Sequence, residues 1–293
     1  MGKVVLSLFD GMSCGRIALE RAGIKVDKYY ASELDKHAIK VTQSNWEDTV
    51  QLGDVTKWQE WDIDWSSLDL LIGGSPCQGF SFAGKQLAFD DPRSKLFFVY
   101  VDILNHIREV NPDVKFLLEN VKMKKEYLAV ISETLGVEPV FINSSVITAH
   151  NRQRFYWSNW AFSQPGDLGI HMDSILEEGY YSTREKSYCL DANYGKGTNF
   201  KRYFFRGSRQ LVLEKGYTPN AMTEDTANSI MKCDGNRWRK LTVLECERLQ
   251  TVPEGYCSSV GKGHAYHMLG NGWTVDVIVH ILKGLGWVHD CAK

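Results

Sequence analysis

The sequence predicts an α/β protein, a doubly wound sheet whose chain is interrupted by a smaller basic lobe. Three observations predict it. Continuous β-branched and leucine runs such as "KVVLSLF" recur between residues 3 and 158 and suit parallel strands covered on both faces. Helical stretches separate these runs, and strand–helix alternation is the mark of the class. Near residue 160 the alternation stops, and glycine, tyrosine, asparagine and basic residues follow in short irregular segments until about 239.

Residues 3–9 form the first predicted strand. "DGMSCG" turns the chain, and "RIALERAG" continues as a short helix with Ile17, Leu19 and Ala22 inward and Gly23 as its stop. "KYYASELD" at 28–35 is the second strand and ends in acidic residues. Further strands are expected at 69–74, 115–119, 140–147 and 154–158, with helices near 35–45, 93–110 and 124–135. A helical pattern returns from "RKLTVLECERLQTVPEGY", and "VDVIVHILKGL" is an apolar helix near the end. The expected division is one α/β domain built from 1–162 and 240–293, with 163–239 inserted as a lobe.

Composition narrows the class. A chain of 293 residues suffices for one large core, or a core with an appended lobe. The net charge of −2 excludes a protein that is basic all over. Residues 181–240, however, hold 12 Lys and Arg against 6 Asp and Glu, a net of +6, which leaves −8 on the rest. A basic lobe on an acidic body suits a polyanion, chance charge on a solvated loop region being the alternative. The seven cysteines include no C-x-x-C pair, so neither a disulfide framework nor a zinc site is expected, and a reducing cytoplasmic setting is. The N-terminal apolar run is too short for a signal peptide or a membrane span.

The turn after the first strand holds Gly11 and Gly15 and opens a helix, which lets the backbone approach a ligand. Glu33, at the end of the second strand, is placed to bond a ribose. Asp54, expected at the third strand's end, would lie near an adenine, and Phe9 would stack on it. The glycines do not match G-x-G-x-x-G and there is no P-loop, which disfavours dinucleotides and nucleoside triphosphates. A ligand with adenosine and an amino-acid carboxylate but no phosphate, such as S-adenosylmethionine, fits better.

Cys77 follows Pro76 just past the carboxyl end of the run "LDLLIGGS", where sheets of this kind bind ligands and where a thiolate can attack carbon. The loop "GFSFAGKQLAFDDPRS" supplies a cover for the site. Glu119 and Asn120 end the next strand and are expected to neighbour Cys77, with Glu119 as acid, base or substrate clamp. Arg152 and Arg154 lie two apart, which on a strand turns both guanidinium groups to one face, suited to a phosphate and a base carbonyl.

Together Pro76-Cys77-Gln78, Glu119-Asn120-Val121, Arg152-x-Arg154 and Gly270-Asn271-Gly272-Trp273-Thr274-Val275 resemble the ordered motifs of the DNA cytosine-5 methyltransferases. "FDGMSCG", "DPRSKLFF" and "LTVLECERLQTVP" extend the likeness, which covers nearly the whole chain outside 163–239. "PCQGFS" and the short lobe are similar to bacterial and phage members, while the first segment and Trp273 are similar to the animal de novo branch. The resemblance implies a class I S-adenosylmethionine-dependent methyltransferase fold, a Rossmann-like mixed sheet, and transfer of a methyl group to carbon 5 of a flipped cytosine in double-stranded DNA at a specific short sequence. It implies that Cys77 adds to carbon 6, that Glu119 holds ring nitrogen 3 and the exocyclic amine, and that Arg154 contacts the base carbonyl with Arg152 in support. No metal is required. The cofactor residues it implies are Phe9, Gly11, Gly15, Glu33, Asp54, Pro76, Asn271 and Trp273. Gln78, Ser81 and Arg93 would close over the extruded base. The lobe becomes the target-recognition domain, with Lys201, Arg202, Arg206 and Arg209 as its DNA-binding candidates. A monomer in a bacterial or phage-infected cytoplasm, with a companion restriction enzyme, completes the expectation. Two departures stand out: His150 replaces the family's frequent glutamine, and Gly272 its frequent serine.

Two other readings share part of this pattern. One is a tRNA cytosine-5 methyltransferase, with the same catalytic motifs; the amide-rich basic lobe favours DNA. The other is a catalytically silent DNA-binding accessory protein, against which the presence of Cys77, Glu119 and Arg154 argues. A nicotinamide oxidoreductase shares the sheet but gives no role to Cys77 or the lobe.

Overall fold

A computed structural model describes residues 2–76, 95–197, 199–219, 223 and 237–287. The chain divides into two compact units, one of residues 1–142, 153–164 and 277–293, the other of 143–152 and 165–276.

The first unit is built on β1 (Lys3–Leu8), α1 (Cys14–Arg21), β2 (Val26–Ser32), α2 (Lys36–Asn45), β3 (Val50–Gln51), β4 (Leu70–Gly73), α3 (Lys95–Val110), β5 (Lys115–Val121), α4 (Lys125–Leu135), β6 (Val140–Asn143) and β7 (Gln153–Ser158). Seven strands form one sheet in the order β3-β2-β1-β4-β5-β7-β6. β1 runs parallel to β2 and β4, and β4 to β5, while β7 is antiparallel to β5. The sheet is therefore mixed and mostly parallel. The apolar runs of β1, β4 and β5 are buried because α3 and α4 pack against them, joining Leu6, Leu8, Leu71, Phe97, Ile103, Phe116, Ile131 and Trp157 in one core.

The structure differs from the sequence expectation at two places in this part of the chain. β3 is only two residues long, so Asp54 lies beyond a strand too short to carry a sequence signal. The strand expected over 140–147 stops at Asn143, whose side chain accepts the Ser145 N–H at 3.2 Å and turns 144–146 into a 3₁₀ turn.

The second unit holds a three-stranded antiparallel sheet of β8 (Tyr180–Tyr181), β9 (Leu211–Glu214) and β10 (Trp238–Lys240), in the order β10-β9-β8. Phe200, Tyr203, Leu211, Leu213 and Tyr217 form its small core. Helix α5 (Val243–Leu249) starts with a complete capping box, Thr242 taking the Glu245 N–H and Glu245 reaching back to the Thr242 N–H. Glu245 is fully buried and meets Arg239 through two bonds of 2.7 and 2.8 Å, a forked pair that offsets its desolvation. Helix α6 (Lys262–Asn271) ends in the Gly270-Asn271-Gly272 segment.

Candidate active site

The strand register brings the first unit's candidate residues to one edge. Leu8 of β1 pairs with Ser32 of β2 and with Gly73 of β4, and Gly73 pairs with Leu118 of β5. Phe9, Glu33, the Gly74-Ser75-Pro76 segment and Glu119 each follow within three residues of these positions. They emerge together at the carboxyl ends of adjacent parallel strands, where α/β sheets hold ligands.

The turn from β1 to α1 is built from three left-handed residues, Phe9 (φ 56°), Gly11 (φ 59°) and Ser13 (φ 60°). Such backbone at Phe9 and Ser13 is strained and needs support. Support comes from Asp10, whose carboxylate takes the Tyr29 hydroxyl at 2.8 Å and the Ser13 hydroxyl, while Ser13 also meets Thr42 at 2.9 Å. Burial pushes the Asp10 carboxyl up to about 6, against the lowering effect of its hydroxyl donors. The Gly11 N–H donates to Glu33 Oε2 at 2.7 Å, and Glu33 Oε1 accepts the Leu34 and Asp35 N–H groups. A side chain built on Gly11 would meet nothing within 4 Å, so that face of the turn is open. Gly15 is buried within the first turn of α1.

Asp54 caps a 3₁₀ turn over Val55–Glu60, its Oδ1 accepting the Thr56 N–H at 2.9 Å and the Thr56 hydroxyl at 2.8 Å. These bonds hold its carboxyl below the usual range. The Ser32 hydroxyl donates to Gly53 O at 2.7 Å, tying the end of β2 to the Asp54 turn. An open glycine turn, a carboxylate on the next strand end and a second carboxylate beyond it form a donor and acceptor set that fits a nucleoside bearing an amino acid.

Glu119 and Arg154 come together across β5 and β7. Glu119 is the fifth residue of β5, and Arg154 on β7 pairs opposite Val121. The Arg154 Nε lies 2.7 Å from Glu119 Oε1, with only 13% and 10% of the two side chains exposed. Asn120, nearly fully buried, donates from Nδ2 to the Ser75 hydroxyl at 3.2 Å, so the end of β5 grips the segment leading to Pro76. At Gly73 a side chain would approach Leu8 O and the Tyr100 ring at 3.0 to 3.1 Å, so glycine lets these elements close up.

Cys77, Gln78, Ser81 and Arg93 lie outside the described residues. Arg152 requires a correction. It precedes β7 instead of sharing a strand face with Arg154, because its N–H is taken by Asn143 Oδ1 at 3.1 Å. Its buried guanidinium donates to the carbonyls of Gly270 (3.1 Å), Asn271 (3.2 Å) and Gly272 (2.8 Å), all within the second unit. Asn271 Nδ2 meets His267 Nε2 at 3.3 Å, and Trp273 is half-buried. His150 is fully buried, its Nε2 accepting the Leu190 N–H at 2.8 Å.

In the second unit Lys201 and Arg202 sit on a π-helical turn, Lys201–Phe205, with Arg206 at its end. Arg209, the fourth DNA-binding candidate, bonds Asp191 (2.9 and 3.3 Å) and Gly197 O (2.6 Å). Sequence reasoning missed Asn193, Lys196 and Asn199, which line a cavity of about 450 Å³ with Gly197, Arg202 and Arg209. Charge density alone pointed to the region, and nothing in the spacing singled these three out. Among the described residues no helix is long and apolar enough to cross a membrane, and no group of three or more His, Cys, Asp and Glu is arranged to hold a metal ion.

Comparison with known proteins adds to this geometry. The C-5 cytosine-specific DNA methylase family matches residues 4–159 and 142–287. The Type II methyltransferase M1.ScrFI of Lactococcus lactis subsp. cremoris is 30% identical over 320 residues, covering 94% of this chain and 75% of that protein. The Type II methyltransferase M.HpaII of Haemophilus parainfluenzae is 29% identical, covering 97% and 90%. The crystal structure of a Spodoptera frugiperda DNMT2 mutant shares the fold, with a TM-score of 0.69 at 20% identity over 97% of this chain and 100% of that one.

Proposed function

The chain belongs to the C-5 cytosine-specific DNA methylases, and from that premise we propose how its residues divide the reaction. The protein transfers a methyl group from S-adenosylmethionine to carbon 5 of cytosine in DNA. The observation that carries the assignment of residues is the shared strand edge, with Glu119 against Arg154 and Asn120 gripping Ser75 beside Pro76.

In this reading Cys77 adds its thiolate to carbon 6 of a cytosine turned out of the duplex. The new sulfur–carbon bond displaces the carbon 5–carbon 6 π pair towards the ring, and Glu119 holds the proton at ring nitrogen 3 that balances the charge. Arg154 orients Glu119 and reaches the base carbonyl. Carbon 5 then carries the nucleophilic electron pair. When bound, S-adenosylmethionine supplies the electrophilic methyl group. A base removes the carbon 5 proton, the double bond re-forms and Cys77 leaves. Extruding the base costs a few kcal/mol, offset by pocket contacts, with Gln78, Ser81 and Arg93 closing behind it.

For the cofactor, Glu33 would hold the ribose hydroxyls and Asp54 the adenine, with Phe9 stacked on the ring and the Gly11–Gly15 turn receiving the amino-acid end. Pro76, Asn271 and Trp273 complete the proposed set. Residues 163–239 are proposed as the target-recognition region. The reading further takes the enzyme as a monomer in a bacterial or phage-infected cytoplasm, paired with a restriction enzyme; the Type II names of its relatives support that pairing.

The test is to incubate the protein and S-adenosylmethionine with duplex DNA of known sequence, and with tRNA in parallel, and to map 5-methylcytosine by bisulfite conversion. Methylation at one short recurring sequence in the duplex is expected. Methylation of tRNA alone would overturn the substrate, and scattered methylation would overturn the sequence specificity.

A further inference from the structure

We propose that the cavity beside the turn Tyr194–Lys196 seats one backbone phosphate of the DNA, held by Lys196 and Arg202. The proposal rests on the reading of this protein as acting on duplex DNA, and it separates a positioning site from the base-reading surface of the same lobe.

Charge accounting is the first argument. Within the second unit, Arg209 is paired with Asp191, Arg237 with Glu214, Arg239 with Glu245 and Arg248 with Glu254. The Lys186 ammonium is surrounded by the carbonyls of Ser145, Thr148 and Ile170. These cations hold the unit together. The Lys196 ammonium and the Arg202 guanidinium, by contrast, have no partner among the described residues, and both line the cavity.

The second argument is that the cavity is built. Asp191 anchors both of its lips, accepting the Asn193 N–H at 2.7 Å through Oδ1 and the fork of Arg209 through both oxygens. Arg209, held in a left-handed conformation (φ 59°), also clamps Gly197 O at 2.6 Å. Its pairing offsets the charge of Asp191, a carboxylate bonded to two of the lining residues. Asn199 Oδ1 accepts the Arg202 N–H at 2.8 Å, which leaves the amide's NH₂ end for a ligand. The remaining lining side chains among the described residues are an ammonium, a guanidinium and two carboxamides able to donate through NH₂, with no carboxylate. Among the described residues no aromatic side chain lines the cavity, so they offer no platform on which to stack a base. Donors without a stacking wall suit a phosphodiester, an anion with acceptors only.

The test measures the affinity of the intact protein for a duplex containing its methylation site and for one lacking it, over a fourfold range of salt. Lys196→Ala and Arg202→Ala should each weaken binding to the two duplexes by the same factor. Each should lower the slope of log affinity against log salt by about 0.9. Over a fourfold salt range the wild type would then lose about 3.5-fold more affinity than either variant, and about 12-fold more than the double variant. Lys196 is exposed, so its substitution does not threaten folding. An unchanged slope would overturn the proposal. A loss confined to the site-containing duplex would overturn it in favour of base reading. If Arg237→Ala, which removes a cation already paired, moved the slope as much, the effect would be the lobe's net charge and the site would be rejected. If the wild type itself showed no salt-dependent affinity for duplex, the DNA reading of the protein would fall first, and the site with it.

Discussion

Replacing Arg152 with alanine tests whether this side chain is the tie that shapes the Gly270–Gly272 segment. Its guanidinium makes three bonds of 3.2 Å or shorter to consecutive carbonyls, with a longer approach to Leu190 O at 3.4 Å, and the residue is only 3% exposed. Hydrogen bonds with a charged partner contribute about 1.5 kcal/mol or more each, which gives about 4.5 kcal/mol for the three. Gly272 O keeps a second donor, Gln250 Nε2 at 3.1 Å, so one of the three carbonyls is not orphaned by the change. The expected loss is therefore about 3 kcal/mol, measured by chemical denaturation. Arg152→Lys, which keeps the charge but not the fork, should recover about half of it. Because Asn271 and Trp273 belong to the proposed cofactor set, the KM for S-adenosylmethionine should rise in both variants. A loss below about 1 kcal/mol for Arg152→Ala would refute the tie.

Three further expectations follow from the same geometry. Glu119→Gln keeps the shape of the side chain but removes the carboxylate beside Arg154; kcat should fall by about 10²–10⁴ while DNA affinity changes little, and a fall of less than tenfold would count against Glu119 in acid–base chemistry. Asp10 has a folded-state pKa of about 6, above its ordinary value, so its stabilising effect is present at low pH and is lost as pH rises through about 6. Asp10→Asn has no such loss and should gain stability relative to the wild type between about pH 4 and pH 7, read from denaturation curves at each pH; a constant difference would contradict this. A Cβ on Gly270 would lie 2.4 to 2.5 Å from backbone atoms of Asp191 and Ala192, so Gly270→Ala should cost at least about 2 kcal/mol in thermal or chemical denaturation, and a neutral result would show that the 191–192 segment yields.

The parallel core was legible because buried strands leave continuous apolar runs. "KVVLSLF" and "LDLLIGG" became β1 and β4 within one or two residues. Glu33 and Glu119 were legible because each ends such a run. Arg152 was misjudged because two-residue spacing signals a shared face only inside a strand, and the Asn143 side chain decides where β7 begins. The Arg209–Asp191 pair was not legible because composition counts charges without their partners, and Asp191 lies 18 residues away. Lys196 was missed for the converse reason: a cation's availability depends on which carboxylates the folded chain places beside it.

The most direct measurement concerns the sulfur of Cys77. A duplex carrying 5-fluorocytosine at the target position blocks the final loss from carbon 5, so the enzyme should remain joined to the base. Incubation with this duplex and S-adenosylmethionine should yield a denaturation-resistant adduct that mass spectrometry assigns to Cys77, and Cys77→Ala should yield none while still binding DNA. Recovery of only free protein and free DNA, with both ligands bound at saturating concentration, would contradict the account.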